Sequence, residues 1–249
     1  MQPFNPTIIQ SRIRSHSVFV YRVGKGGFGS GVLIEIQGRL FVLSAAHVIE
    51  GEIDVNLGII PHESRFEILD KWTDEDTDTG FLELKPFEVH LRLSQFTAPF
   101  PVGSIKAHSF RSRTTTLALC GFPGGESSET DRGHEIPLVY LAVGVLAPEQ
   151  WPTDIASRYD PKTTFLVPYG PRWGNSFLDG NKNPRGPVSP FGMSGCGLWY
   201  FDRDNQNAEP PWYALGGIQH SYSEQEQVLL GTLVDELVRK VASHCGIAL

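Results

Sequence analysis

The sequence predicts an all-β protein whose strands fall into two blocks, with a single helix at the C-terminus. Three observations carry that expectation. The chain of 249 residues holds 26 glycines and 18 prolines, a turn-rich composition that suits many short strands better than long helices. Short segments dense in β-branched and aromatic residues recur between those turns, and a proline-bearing stretch, Ser94 to Gly103, separates them into an N-terminal unit (residues 1–97) and a C-terminal unit (98–249). Finally, Ser223 to Ser243 carries Val228, Leu229, Leu233, Val234, Leu237, Val238 and Val241 at helical spacing.

The elements follow in order. Residues 6–16 predict a short helix through Ile8, Ile9 and Ile13. Ser17 to Val23 is a strand. The stretch Gly24-Lys25-Gly26-Gly27-Phe28-Gly29-Ser30-Gly31 satisfies a Gly-x-Gly-x-x-Gly nucleotide motif by letter, but such a loop needs a helix after it to face the phosphate. Val32 to Ile36 reads as a strand instead, and no kinase signatures accompany it, so the stretch is taken as a hairpin loop. Gln37-Gly38 is a tight turn into the strand Arg39 to Ala45. Glu52 to Ile60 and Ser64 to Asp70 are two more strands, and Asp74, Glu75 and Asp76 form a solvated loop before the alternating strand that opens at Thr79. Phe87 to Leu93 completes the first block. The second holds strands at Thr115 to Gly121, Leu138 to Leu146, Thr164 to Val167, Leu198 to Phe201 and Trp212 to Gln219, with Glu126 to Glu135 an exposed loop.

Chemistry concentrates at three places. Phe191-Gly192-Met193-Ser194-Gly195-Cys196-Gly197 sets a serine between glycines, which reach backbone angles other residues adopt only under strain. Such a turn exposes a hydroxyl while nearby N–H groups converge on one point, the geometry that a tetrahedral oxyanion requires. His47 ends the segment Ser44-Ala45-Ala46-His47, where small alanines let an imidazole lie close to the backbone. Asp78 leads directly into a strand, with Asp76 as the alternative carboxylate.

The pattern Gly-x-Ser-Gly-x-Gly around Ser194, the Ser-Ala-Ala-His segment and the Asp-x-Gly-apolar-Leu strand start resemble the trypsin-like (chymotrypsin-fold) serine proteases, bacterial members included. The order His47, Asp78, Ser194 is the chymotrypsin order. The resemblance spans about Ser17 to Val241 and implies two six-stranded antiparallel β-barrels with a C-terminal helix. It implies a serine endopeptidase in which His47 is the base, Asp78 orients it, Ser194 attacks, and the N–H groups of Gly192 and Ser194 bind the oxyanion. No metal or cofactor enters that chemistry. A protease-like module that binds peptides without turnover, or an esterase on the same fold, is the competing expectation.

The chain departs from the family in two respects. Met193 stands where digestive members have an aspartate that pairs with a freshly cut N-terminus, and no Ile-Val-Gly-Gly activation site occurs near the start. Competence on synthesis, or control by a regulatory protein partner, is expected instead. Cys196 replaces a usual glycine and is the alternative nucleophile. The base of the specificity pocket falls on Val188, which cannot pair with a substrate Lys or Arg, so cleavage after those residues should be poor. Gly216 to Ser221 resembles the pocket's other wall, from which Gln219 or His220 projects a polar group unless the pocket is simply apolar.

A net charge of -7 argues against nucleic acid as a partner, and no apolar run approaches the ~20 residues of a membrane span. The partner expected is a protein or peptide substrate. Three widely spaced cysteines form neither a disulfide framework nor a zinc pattern, and the N-terminus lacks an apolar signal core, so a reducing, cytoplasmic setting is expected.

Overall fold

The computed structural model describes residues 13–22, 28–56, 67–85, 98–101, 115–122, 128–130, 133–135, 139–173, 177–178, 184–185, 190–202 and 213–248. Two antiparallel sheets dominate them. The first contains β1 (Ser17–Arg22), β2 (Phe28–Ile36), β3 (Arg39–Ser44), β4 (Ile53–Asn56), β5 (Ile68–Asp74) and β6 (Thr79–Leu84), in the order β4-β1-β2-β3-β6-β5. The short β7 (Phe100–Pro101) adds to β2 in parallel. Two small hairpins, β9 (Ser128–Thr130) with β10 (Gly133–Glu135) and β13 (Phe177–Leu178) with β14 (Pro184–Arg185), stand apart. The second large sheet is built from β8 (Thr115–Gly121), β11 (Val139–Val143), β12 (Thr164–Pro168), β15 (Gly197–Asp202), β16 (Tyr213–Ser223) and β17 (Val228–Leu233), in the order β11-β8-β15-β16-β17-β12. The helices are α1 (Ala46–Ile49), α2 (Thr153–Ala156) and α3 (Val234–Cys245). Among the described residues no helix is long and apolar enough to cross a membrane.

Side chains alternate across a strand, and here both faces are buried, so the strands read as near-continuous apolar runs. In β3, Leu40 and Val42 face a core private to the first sheet, while Phe41 and Leu43 face a second core shared between the sheets. In β15, Leu198 and Tyr200 enter the core of the second sheet, while Trp199 and Phe201 join the shared one. Helix α3 adds Val234, Leu237, Val238 and Val241 to that shared core, so it seals the junction of the two sheets. Together this is a mostly β architecture of two antiparallel sheets with one C-terminal helix.

Several elements differ from expectation. The helix does not begin near Ser223: Val228–Leu233 is β17, paired to β16 and β12, and only Val234–Cys245 is helical. A Cβ at Gly231 would overlap the Phe165 ring, and glycine is a poor helix interior residue, so the segment packs as a central strand. The helix then ends at Gly246, whose φ of 65° is the left-handed cap. Strand β2 starts at Phe28, inside the stretch taken as a loop, and β5 runs on to Asp74, so Asp74 belongs to a strand. Part of the loop expected at 126–135 is the β9–β10 hairpin. The turn Gln37-Gly38 has positive φ at both residues (51° and 79°), which matches the twist of a two-residue hairpin. The strand expected at 87–93, and all but the end of the helix expected at 6–16, lie outside the described residues.

Candidate active site

His47 sits on α1, a single turn that follows β3. Its neighbours Ala46, Val48 and Ile49 are buried, which leaves the imidazole as the outward side chain, 48% exposed. Asp78 closes the turn between β5 and β6 in the left-handed conformation, φ 47°. Aspartate tolerates that region better than most residues, yet it still costs about 1–3 kcal/mol and persists only when neighbours fix it. The fixing bonds are present. The Ala46 N–H donates to the Asp78 carbonyl at 3.1 Å and the His47 N–H to Oδ1 at 3.1 Å. His47 Nδ1 lies 2.9 Å and 2.8 Å from the two carboxylate oxygens. A carboxylate only accepts, so Nδ1 is the donor.

Ser194 lies on a tight turn ahead of β15. Met193 N–H donates to the Pro190 carbonyl (2.9 Å) and Cys196 N–H to the Met193 carbonyl (2.8 Å), with positive φ at Gly192 (86°) and Gly195 (88°). A Cβ on Gly195 would overlap the Ser30 carbonyl and the Ser44 hydroxyl. Among the described residues the N–H groups of Gly192 and Ser194 have no hydrogen-bond partner, so both are free to meet an oxyanion. Gly29 explains how the serine turn reaches the histidine. A Cβ there would lie 2.6 Å from a Val48 methyl and 2.8 Å from the Ser194 carbonyl, so the residue after His47 and the serine's own backbone converge on one glycine. The Ser194 hydroxyl itself makes no hydrogen bond among the described residues; the structure joins His47 to Asp78 but leaves the serine–imidazole link open. In free enzymes such links are often long and tighten on substrate.

Ser30, read in sequence only as part of a glycine-rich loop, is the hub of this arrangement. Its N–H donates to the Ser194 carbonyl (2.7 Å) and its hydroxyl to the Gly192 carbonyl (3.0 Å). It accepts from the Phe122 N–H (2.9 Å) through Oγ and from the Ser44 hydroxyl (2.7 Å) through its carbonyl. No local pattern marks it, because its partners lie on distant segments.

The remaining candidates separate. Val188 lies outside the described residues. Gln219 is buried beside the serine turn: its carbonyl accepts from Gly195 N–H (2.7 Å), and its side-chain amide donates to the Ser221 carbonyl (3.0 Å) and faces Cys196 Sγ (3.9 Å). His220, 2% exposed, lines a cavity of about 60 Å³ that also contacts Thr77, Thr232 and Glu236, behind the acid turn. Its Nδ1 meets the Ser221 hydroxyl at 2.7 Å. Burial drives its pKa down to about 4, against the nearby Asp78 charge, which raises it, and with His47, which lowers it further. His220 therefore sits within electrostatic reach of the His47–Asp78 pair. Cys196 is fully buried and burial pushes its thiol well above the ordinary range, which leaves it neutral and a poor nucleophile. Asp76 is exposed and contributes only its N–H, to Asp74 Oδ1 at 3.0 Å. Asp70, Glu83 and Cys245 bring three donor atoms within 4.8 Å of one another, but both Glu83 oxygens are held by Arg39 at 2.8 Å and 2.6 Å, so the cluster is an ion pair and not an open metal cradle.

Solved structures share this architecture. The Rv3671c protein of M. tuberculosis H37Rv, solved as a serine-to-alanine mutant in its inactive form, matches with a TM-score of 0.53 and 14% identity, covering 98% of this chain and 95% of that one. A structure described as GrC matches with a TM-score of 0.56 and 16% identity, covering 95% and 96%. At such identities the likeness shows the fold alone, the chymotrypsin-like one. No family model and no curated protein matches the sequence.

Proposed function

We propose that the protein is a serine endopeptidase acting on protein or peptide substrates. The observation that carries this is the carboxylate–imidazole pair, Asp78 to His47 Nδ1, set across Gly29 from a serine turn with two unengaged N–H groups. The likeness in fold to Rv3671c, whose serine-to-alanine mutant was solved as an inactive form, supports the same reading. In this reading Ser194 Oγ attacks the scissile carbonyl carbon and its proton passes to His47 Nε2. Asp78 stabilises the imidazolium so formed, and the Gly192 and Ser194 N–H groups bind the oxyanion. Collapse breaks the C–N bond, the leaving amine takes the His47 proton, and a water activated by the same imidazole releases the acyl group. Each oxyanion donor would lower the barrier by about 3–4 kcal/mol.

A Ser194 hydroxyl without a hydrogen bond among the described residues is also compatible with one alternative, a peptide-binding module without turnover. Fluorophosphonate labelling separates them. Labelling of the wild type that vanishes in Ser194→Ala supports the peptidase; folded wild type that does not label overturns it in favour of the binding module.

A further inference from the structure

The turn that carries Asp78 is tied to the C-terminal helix by one side chain. Lys240, on α3, donates to Asp74 Oδ2 at 2.5 Å and to Thr77 Oγ1 at 3.0 Å, and lies 5.8 Å over the Trp72 ring. Asp74 Oδ1 in turn accepts the N–H groups of Asp76 (3.0 Å) and Thr77 (3.4 Å), and Thr77 Oγ1 meets Thr79 Oγ1 at 2.8 Å. One ammonium thus organises both ends of the acid turn, Asp74 at its start and Thr77 immediately before Asp78. The pair is well shielded, with Lys240 19% and Asp74 22% exposed, whereas Lys85 and Glu67 at another edge of the same sheet are 43% and 51% exposed. Burial alone would raise the Asp74 pKa; its bonds to Lys240 and Thr77 outweigh this and hold it below the ordinary value.

Lys240 is not needed to dock the helix. The docking face is Val234, Leu237, Val238, Val241 and Ala242, at the spacing of an amphipathic stripe. What does need explaining is Asp78, a non-glycine residue held at φ 47°. Such a conformation persists only where the surroundings over-determine it. His47 and Ala46 constrain it from one side; Lys240, through Asp74 and Thr77, constrains it from the other. We propose that Lys240 is a positioning residue for the candidate site: it clamps the β5–β6 turn so that the Asp78 carboxylate meets His47 Nδ1. Its effect on turnover rests on the peptidase reading; its effect on the imidazole does not.

The experiment reads the His47–Asp78 bond directly. The proton on His47 Nδ1 is held by the Asp78 carboxylate at 2.8–2.9 Å, and its NMR resonance moves upfield and exchanges faster with water when that bond loosens. It is followed in wild type, Lys240→Met, Lys240→Arg and Thr77→Val, the last removing only a hydroxyl that Lys240 reaches. The expected result is an upfield shift with faster exchange in Lys240→Met. Thr77→Val should give a smaller change, and Lys240→Arg should recover most of the wild-type position. With a peptide substrate, kcat should fall up to about 10²-fold in Lys240→Met while KM stays near the wild-type value. A resonance unchanged in position and exchange in folded Lys240→Met overturns the clamp. If that variant does not fold, an unchanged resonance in Thr77→Val does so. Should the wild type fail to label with fluorophosphonate, the peptidase reading falls while the resonance still decides the clamp.

Discussion

The two halves of the candidate site are built in opposite ways. The His47–Asp78 half is assembled by side-chain charge: a carboxylate bridges an imidazole and a backbone N–H, and Lys240 braces the turn behind it. The Ser194 half is assembled by backbone and shape. Its turn is moored by N–H and carbonyl bonds to Ser30, Gln219 and Pro190, and by glycines whose missing Cβ leaves room for neighbouring atoms. The first half should therefore respond to changes of charge and pH, the second to changes of volume.

The largest effect expected is on chemistry that needs both halves together. Ser194→Ala and His47→Ala should each cut kcat by roughly a millionfold, and Asp78→Asn by about ten-thousandfold, with double variants little worse than the worst single one. Losses that multiply would show that the two halves do not act as a unit, and a larger loss in Asp76→Asn than in Asp78→Asn would mean that the wrong carboxylate has been paired with His47. Next comes volume in the second half. Gly195→Ala forces a methyl into the Ser30 carbonyl at a φ of 88°, and should cost roughly 3 kcal/mol or more in urea unfolding as well as labelling by fluorophosphonate. A stable, fully labelled Gly195→Ala would mean that the turn is not shape-determined.

The smallest effect tests the reach of charge. His220 has its pKa lowered to about 4 from an ordinary value near 6.5, so the unfolded chain binds its proton more readily. Stability should then fall as pH drops from about 6.5 through 4. His220→Gln removes that titration, so its stability relative to wild type should improve as pH falls across the same window. An unfolding free-energy difference that does not change with pH would place His220 in a wetter setting than the structure shows.

How far the sequence revealed these features follows the range of the interactions. His47, Asp78 and Ser194 are legible because each lies in a short local pattern, and the strands are legible because runs of β-branched and aromatic residues between turn residues are local too. Ser30 is not, since its role lies in contacts to Gly192 and Phe122, 162 and 92 positions away. The sequence around Asp74 predicts a solvated loop because its partner, Lys240, is 166 positions off. The segment Val228–Leu233 reads as helix in the sequence because a strand buried on both faces carries no period to oppose the helical one that follows it. The sequence offers His220 and Gln219 as alternatives for one pocket wall; neighbours on β16, they sit apart, His220 behind the acid turn and Gln219 under the serine turn.

Met193, one residue before the serine, is 1% exposed and belongs to the second sheet's core with Leu119, Tyr169 and Leu198. An ion pair at that place can be made or broken while the rest of the fold stands, which is what allows such a turn to be switched. A thioether packed among aliphatic and aromatic side chains offers no such handle. The geometry around Ser194 is in that sense part of the interior, and to dismantle it is to melt the barrel it is rooted in.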